Sequence, residues 1–164
     1  MAYDADPQWL TRSEREAWLS LVRLVTVLPA ALDAQLDRDA GLSFFEYHVL
    51  SMLSERPDRA VRMRRLAELT SSSPSRLSNV AKRLEQRGLL RREADPADGR
   101  ATRAVLTDAG LRTVEQAAPR HVAAVRALVI DALSARELAG LRAANERILA
   151  RADPGAGTRP EWFA

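Results

Sequence analysis

The 164-residue chain contains no cysteine. That excludes disulfides, thiolate zinc sites and any response based on thiol oxidation. Histidine occurs only at positions 48 and 121, on different expected helices. This is too sparse a set for a structural zinc site, which favours denser Cys/His groups, so no metal and no other cofactor is expected. Lysine occurs once, as Lys82, and arginine carries the rest of the positive charge, which reads as compositional bias. Also missing is a run of about 18 apolar residues without charges, so no membrane span and no membrane partner is expected. The N-terminus MAYDADPQW is acidic and has no apolar stretch of the kind a secretory signal needs, which points to a cytoplasmic protein. No phosphate loop, nucleophile elbow, H-E-x-x-H or G-x-G-x-x-G pattern occurs. An enzyme reading has no residue to rest on.

What is present concentrates between Ser71 and Thr107. Three serines precede Pro74, a residue tolerated in the first turn of a helix because its missing N–H would have no partner there. Leu77, Val80, Ala81 and Leu84 follow at the i, i+3, i+4, i+7 spacing of one buried stripe, and Gly88 stands where a left-handed cap is expected. The opposite side carries Ser75, Asn79, Lys82 and Gln86, flanked by Arg76 and Arg83, which are residue types that read base edges and hold phosphates. Leu89–Glu93 and Ala101–Leu106 then read as two short strands joined by DPADGR, a composition that favours a tight reversal with Gly99 at positive φ and Arg100 at or near the tip. A helix with a polar reading face followed by an arginine-tipped hairpin is a winged helix-turn-helix.

The net charge of +3 conceals an asymmetry. Residues 56–107 hold 13 basic and 6 acidic side chains, a net of +7, while the remainder holds 12 and 16, a net of −4. A basic surface suits a polyphosphate partner through counterion release and steering. A charge cluster alone is more simply a solvated face; its coincidence with the reading helix and the wing favours DNA.

The flanks read as helices. Thr11 and Glu14 form a capping box that opens a long helix with the stripe Trp18, Leu21, Val22, Val25, Leu28, Leu32 and Leu36, ended by Gly41; Pro29 inside it predicts a kink or a division. Ser43 and Glu46 form a second box, with Leu42 and Tyr47 as hydrophobic staple, for a helix to about Glu55 that buries Phe45, Val49, Met52 and Leu53. An extended piece at 60–62 leads to a brief helix from Met63 to Thr70 with Leu66, Ala67 and Leu69 inward and no good N-cap. Beyond the wing, Thr107 or Asp108 caps a helix with the stripe Leu111, Val114, Ala118, His121, Val122, Val125, Leu128 and Val129, in which Pro119 predicts a second kink. Ser134 and Glu137 open a last helix to about Arg151 that buries Leu138, Leu141, Ile148 and Leu149. The expected organisation is an N-terminal dimerisation region at 1–42, a DNA-binding unit at 43–106, C-terminal dimerisation helices at 107–153 and a flexible tail at 154–164.

This order of elements, and the stretch RRLAELTSSSPSRLSNVAKRLEQRGLLRREADPADGRATRAVLTDAG, resembles the core of the MarR (multiple antibiotic resistance regulator) family. The carrying motifs are LAE at 66–68, RLEQRGLL at 83–90, D-x-x-D-x-R at Asp95, Asp98 and Arg100, and LTDAG at 106–110. The match covers about residues 42–110; Arg62 and Met63 stand where the family often has serine or threonine. The resemblance implies a mainly α fold with a small β wing, about six helices and an intertwined homodimer on a pseudo-palindromic double-stranded DNA operator, acting as a transcriptional repressor. Aliphatic stripes on the terminal helices, with no other evident place to be buried, agree with the homodimer; a monomer with those helices packed on each other is the alternative. Expected DNA contacts are Ser73, Ser75, Arg76, Asn79, Lys82 and Arg83 on the reading helix and Asp98, Arg100 and Arg103 on the wing. The resemblance also implies release by a small aromatic or phenolic effector bound between the dimer helices and the winged unit; Trp18, Arg23, Phe45 and His48 are candidates by type and helix position. His121, in an apolar stripe, reads as a core or interface residue. A winged helix that binds another protein is the competing function, and it has no need of Arg100 or of a polar reading face.

Overall fold

Short-range signals set the helix boundaries. In a computed structural model describing residues 8–153, the side chains of Thr11, Ser43 and Ser134 each accept the amide of the third helical residue, and Glu14, Glu46 and Glu137 reach back to the cap amides. These boxes open α1 (Arg12–Ala40), α2 (Phe44–Ser54) and α6 (Ala135–Ala152). Gly41, at φ 60°, ends α1 in the left-handed conformation that a side chain would resist. Between them lie β1 (Ala60–Arg62), α3 (Met63–Leu69), α4 (Pro74–Gln86), β2 (Leu90–Asp95), β3 (Asp98–Leu106) and α5 (Asp108–Val125). The N-cap of α3 is Arg62, which makes no side-chain capping bond. The tail expected at 154–164, and most of the N-terminal leader, lie outside the described residues.

Neither internal proline divides its helix. α1 runs undivided through Pro29 and α5 through Pro119, because the turns on either side retain their own hydrogen bonds. Past Val125, α5 widens into a π-helical turn, Arg126–Ile130.

The sheet has three strands in the order β1-β3-β2, all antiparallel. The wing therefore carries a third strand: Val61 pairs with Ala104, which ties the entry of α3 to the hairpin. The hairpin itself differs from expectation. Its strands are longer, the turn is only Pro96-Ala97, and Gly99 does not take positive φ. The reversal is made instead by Asp95, whose carboxylate accepts the amides of Ala97 (2.8 Å) and Asp98 (3.2 Å).

One core holds α2, α3, α4 and the sheet together. Leu42, Val49, Leu50, Leu53, Leu66, Leu77, Val80, Ala81, Leu84, Leu90 and Leu106 are all buried, so the predicted stripe of α4 is the one observed. The same core takes in Leu36 from α1 and Val114 and Ala117 from α5. Gly110 makes the second junction possible: a Cβ there would lie 2.0 Å from the Leu89 carbonyl oxygen. Phe45 is a correction. It is half-buried and packs against the edge of the core, since the N-terminal turn of α2 faces the reading helix.

The flanking helices are different. α6 buries no residue, and Ile148 and Leu149, expected inside, are 49% and 61% exposed because none of the described elements covers them. Trp18, Leu19, Val22, Leu24, Val25 and Val27 of α1 are exposed too. No run of about 18 apolar residues without charges occurs, yet by length and composition alone α1 is apolar enough to cross a membrane: it has an 18-residue window of mean hydropathy 1.5, only 6% of it buried. Apolar residues lie nearly all around that part of α1 (Trp18, Leu19, Val22, Leu24, Val25), which raises its hydropathy without a long uncharged run.

Candidate nucleic-acid interface

α4 presents its outer face through its own start. The Ser73 hydroxyl accepts the Arg76 amide at 3.2 Å and shares a hydrogen bond with the Ser75 hydroxyl at 3.1 Å, so Ser73 acts as N-cap. The turn before it is tight, with Ser71 at φ 46°. Ser75, Arg76, Asn79, Lys82 and Arg83 are all exposed on one side of the helix. Among the described residues, Asn79 makes no side-chain hydrogen bond, so its amide donors and acceptor are free.

Most arginines of the basic segment are engaged. Arg83 donates to Glu46 at 3.2 Å, and Arg87 lies 3.8 Å from the same carboxylate. Burial would raise the Glu46 carboxyl, but the Ser43 amide and hydroxyl together with Arg83 hold it below its ordinary value. Arg92 grips Glu85 through Nη2 at 2.7 Å and Nε at 3.0 Å, fastening the wing to the reading helix. Arg103 holds Glu93 at 2.6 Å across the hairpin, and Arg62 holds Asp95 at 2.7 and 3.2 Å. The Arg62 hydrogen bonds, with the Ala97 amide, pull the Asp95 carboxyl down to about 2.

Within residues 56–107, Arg76, Lys82 and Arg100 have no carboxylate partner among the described residues. The Arg76 guanidinium lies over the Phe45 ring, 4.2 Å from its centroid. Arg100 is not at the hairpin tip. Ala94 pairs with Thr102 but Asp95 pairs with Asp98, so Gly99, Arg100 and Ala101 bulge out of the ladder. Asp98 accepts the Arg100 amide at 3.1 Å and shapes that bulge. A bulge re-aims side chains and increases twist, which is how an exposed arginine is projected from a strand. Arg103, by contrast, is occupied within the sheet. Phe45, Arg76, Asn79, Val80 and Arg83, with Asp33 and Ser43, line a cleft of about 320 Å³ beside the reading helix.

The four effector candidates do not converge within this chain. Trp18 and Arg23 are exposed on α1, while Phe45 faces α4. His48 is half-buried and stacks on Phe44 at 6.4 Å; burial lowers its pKa. His121 lies on the other side of Phe44, where its Nδ1 is 3.1 Å from Gln35 Oε1 and its ring 4.6 Å from that of Tyr47; burial lowers its pKa as well. Sequence reasoning missed the acids that organise the site. Glu46 read only as half of a capping box, and the available signal was an acidic residue that can serve two helices at once.

Comparison with known proteins places this geometry. The model of the MarR family matches residues 40–101. Sco3205 of Streptomyces coelicolor, a MarR family transcriptional regulator solved in complex with DNA, is 38% identical, with a TM-score of 0.89 over 96% of this chain and 98% of that one. AbsC, a MarR family regulator of the same organism, is also 38% identical, with a TM-score of 0.85 over 88% and 97%. CouR of Rhodococcus jostii RHA1, solved with p-coumaroyl-CoA, is 25% identical, with a TM-score of 0.73 over 93% and 100%. Comparison with curated protein sequences yields no match.

Proposed function

The chain belongs to the MarR family of transcriptional regulators, a DNA-binding family, and on that premise we propose that it acts in the cytoplasm as a homodimeric repressor on a pseudo-palindromic operator. The observation that carries this reading is the row of exposed polar side chains on α4 that no carboxylate holds, Ser75, Arg76, Asn79 and Lys82, together with the exposed Arg100 in the wing bulge. Arg76 and Asn79 have the donor and acceptor sets that pair with guanine and adenine edges in the major groove. Lys82 and the outer edge of Arg83 face phosphate, and Arg100 enters the adjacent minor groove, where narrow A·T-rich segments strengthen the negative potential.

The homodimer is supported by the apolar surfaces of α1 and α6, which are half of a core in search of the other half. On this reading residues 1–42 and 107–153 serve association and 43–106 serves DNA. Two reading helices must enter successive major grooves, so their separation approaches about 34–36 Å. An effector wedged between α1, α5 and the winged unit would change that distance, and its leverage equals its differential affinity for the two spacings. A small aromatic or phenolic acid is the proposed class, with Trp18, Arg23 and His48 on its path; the likeness to CouR, which was solved with an aromatic acyl thioester, supports it.

Selection from a random double-stranded library tests the whole reading. The expected result is an inverted repeat whose half-site changes at one position for Asn79→Ala. No binding at micromolar protein and low salt would overturn it in favour of a winged helix that docks protein.

A further inference from the structure

Arg76 and Arg83 stand two turns apart on the same helix, and both are met by the first turn of α2, but in opposite ways. Glu46 holds Arg83 through a hydrogen bond from Nε, so that arginine has given up part of its donor edge. Phe45 meets Arg76 through the ring face, 4.2 Å from centroid to guanidinium carbon. A ring beneath the guanidinium carbon takes up no N–H donor, and Arg76 makes no side-chain hydrogen bond among the described residues, so its five donors stay free. A long, rotamer-rich side chain is thereby oriented before any partner arrives, without losing the fork that matches guanine O6 and N7.

We propose that Phe45, outside the reading helix, is a specificity-determining residue: its ring presets the plane of Arg76 for guanine recognition. The inference rests on Arg76 reading a base, as argued above. Phe45 is suited to the task because its own position is fixed. It packs against the core at the start of a helix whose cap is closed by Ser43 and Glu46, and the next amide, that of Phe44, is bound by Asp33 of α1 at 2.8 Å. The ring is thus a rigid wall, and Arg76 is the movable part leaning on it.

The experiment measures competition binding to the selected operator and to operators altered at each half-site position, for the parent, Arg76→Ala, Phe45→Leu, Phe45→Met and Phe45→Tyr. Arg76→Ala should abolish preference at one position. Phe45→Leu and Phe45→Met keep apolar bulk but remove the π face, and should reduce discrimination at that same position about five- to tenfold, the worth of a partly exposed cation–π contact. The salt slope should not change, because no phosphate contact is lost. Phe45→Tyr, which keeps the ring, should restore discrimination. If Arg76→Ala leaves every preference intact, Arg76 does not read a base and the underlying assignment fails. If Arg76→Ala removes a preference but both aliphatic Phe45 variants retain it, or lose affinity equally at all positions as a packing defect would, the positioning role of Phe45 is overturned.

Discussion

The winged unit and the flanking helices are built on opposite terms. Around α2, α3, α4 and the sheet, Leu50, Leu53, Leu66, Leu77 and Leu84 are fully buried and the capping and ion-pair partners lie within the same chain. On α1 before Leu32, and throughout α6, no residue is buried and large apolar side chains face outward. The first region is closed by this chain, with Leu36 of α1 and Val114 and Ala117 of α5 completing its core; the second is an apolar surface that the described residues leave uncovered. On the proposed reading, the contrast separates two requirements of a regulator: a rigid head that reads, and a shared region that sets where the heads stand.

The contrast is broken most directly from the flank. Val25→Asp places a charge in the apolar face of α1, and an uncompensated buried charge costs about 3–5 kcal/mol. Light scattering should then find monomers with half-site affinity only, while circular dichroism keeps the helical signal of the winged unit. A stable dimer in this variant would show that α1 is not the interface.

The complementary break is where α5 joins the winged unit. Gly110→Ala must push the Leu89 carbonyl or the Leu106 side chain aside, since the new Cβ would lie 2.0 and 2.7 Å from them. Overpacking of this kind costs about 1–3 kcal/mol, at the upper end here because backbone has to move. Urea unfolding should register the loss, and a midpoint equal to the parent's would refute the close approach.

Smaller changes sharpen the comparison without disturbing either region. Arg100→Ala removes an exposed cation with no structural partner, so affinity should fall about tenfold, or ~1.4 kcal/mol, at unchanged thermal stability. Equal affinity would dismiss the wing contact. Lys82→Ala should weaken binding evenly across sequences and flatten the salt slope by about one unit, measured as log affinity against log salt.

The last effect is confined to acid. Asp95 has its folded-state pKa lowered to about 2 from 3.8, so the stability it adds is complete above pH 4 and drains away as pH falls toward 2. Parent and Asp95→Asn should therefore converge in urea midpoint over that window. A constant gap down to pH 2 would contradict the Arg62–Asp95 pairing.

Much of this was legible before any coordinates. The side-chain caps at Thr11, Ser43, Thr107 and Ser134, the αL ends at Gly41 and Gly88 and the buried stripe of α4 are all local, and each depends on residues within one or two turns. The polar face of α4 was legible for the same reason, because a stripe once located also locates its opposite. The division of labour among the arginines was not. Arg83 meets Glu46 across 37 positions and Arg62 meets Asp95 across 33, and no pattern along the chain distinguishes them from Arg76 or Arg100.

Periodicity and capping thus determined the helices, their order and the polar face of α4 proposed to meet DNA, because those depend on near neighbours in a chain with fixed geometry. Tertiary structure alone decided which cations stay free, that Arg100 leaves a bulge and not a turn, and that β1 completes the wing. It also decided that the stripes of α1 and α6 remain uncovered. An amphipathic pattern states that a face must be buried but is silent on what buries it, since the free energy depends on apolar area removed from water and not on which chain removes it.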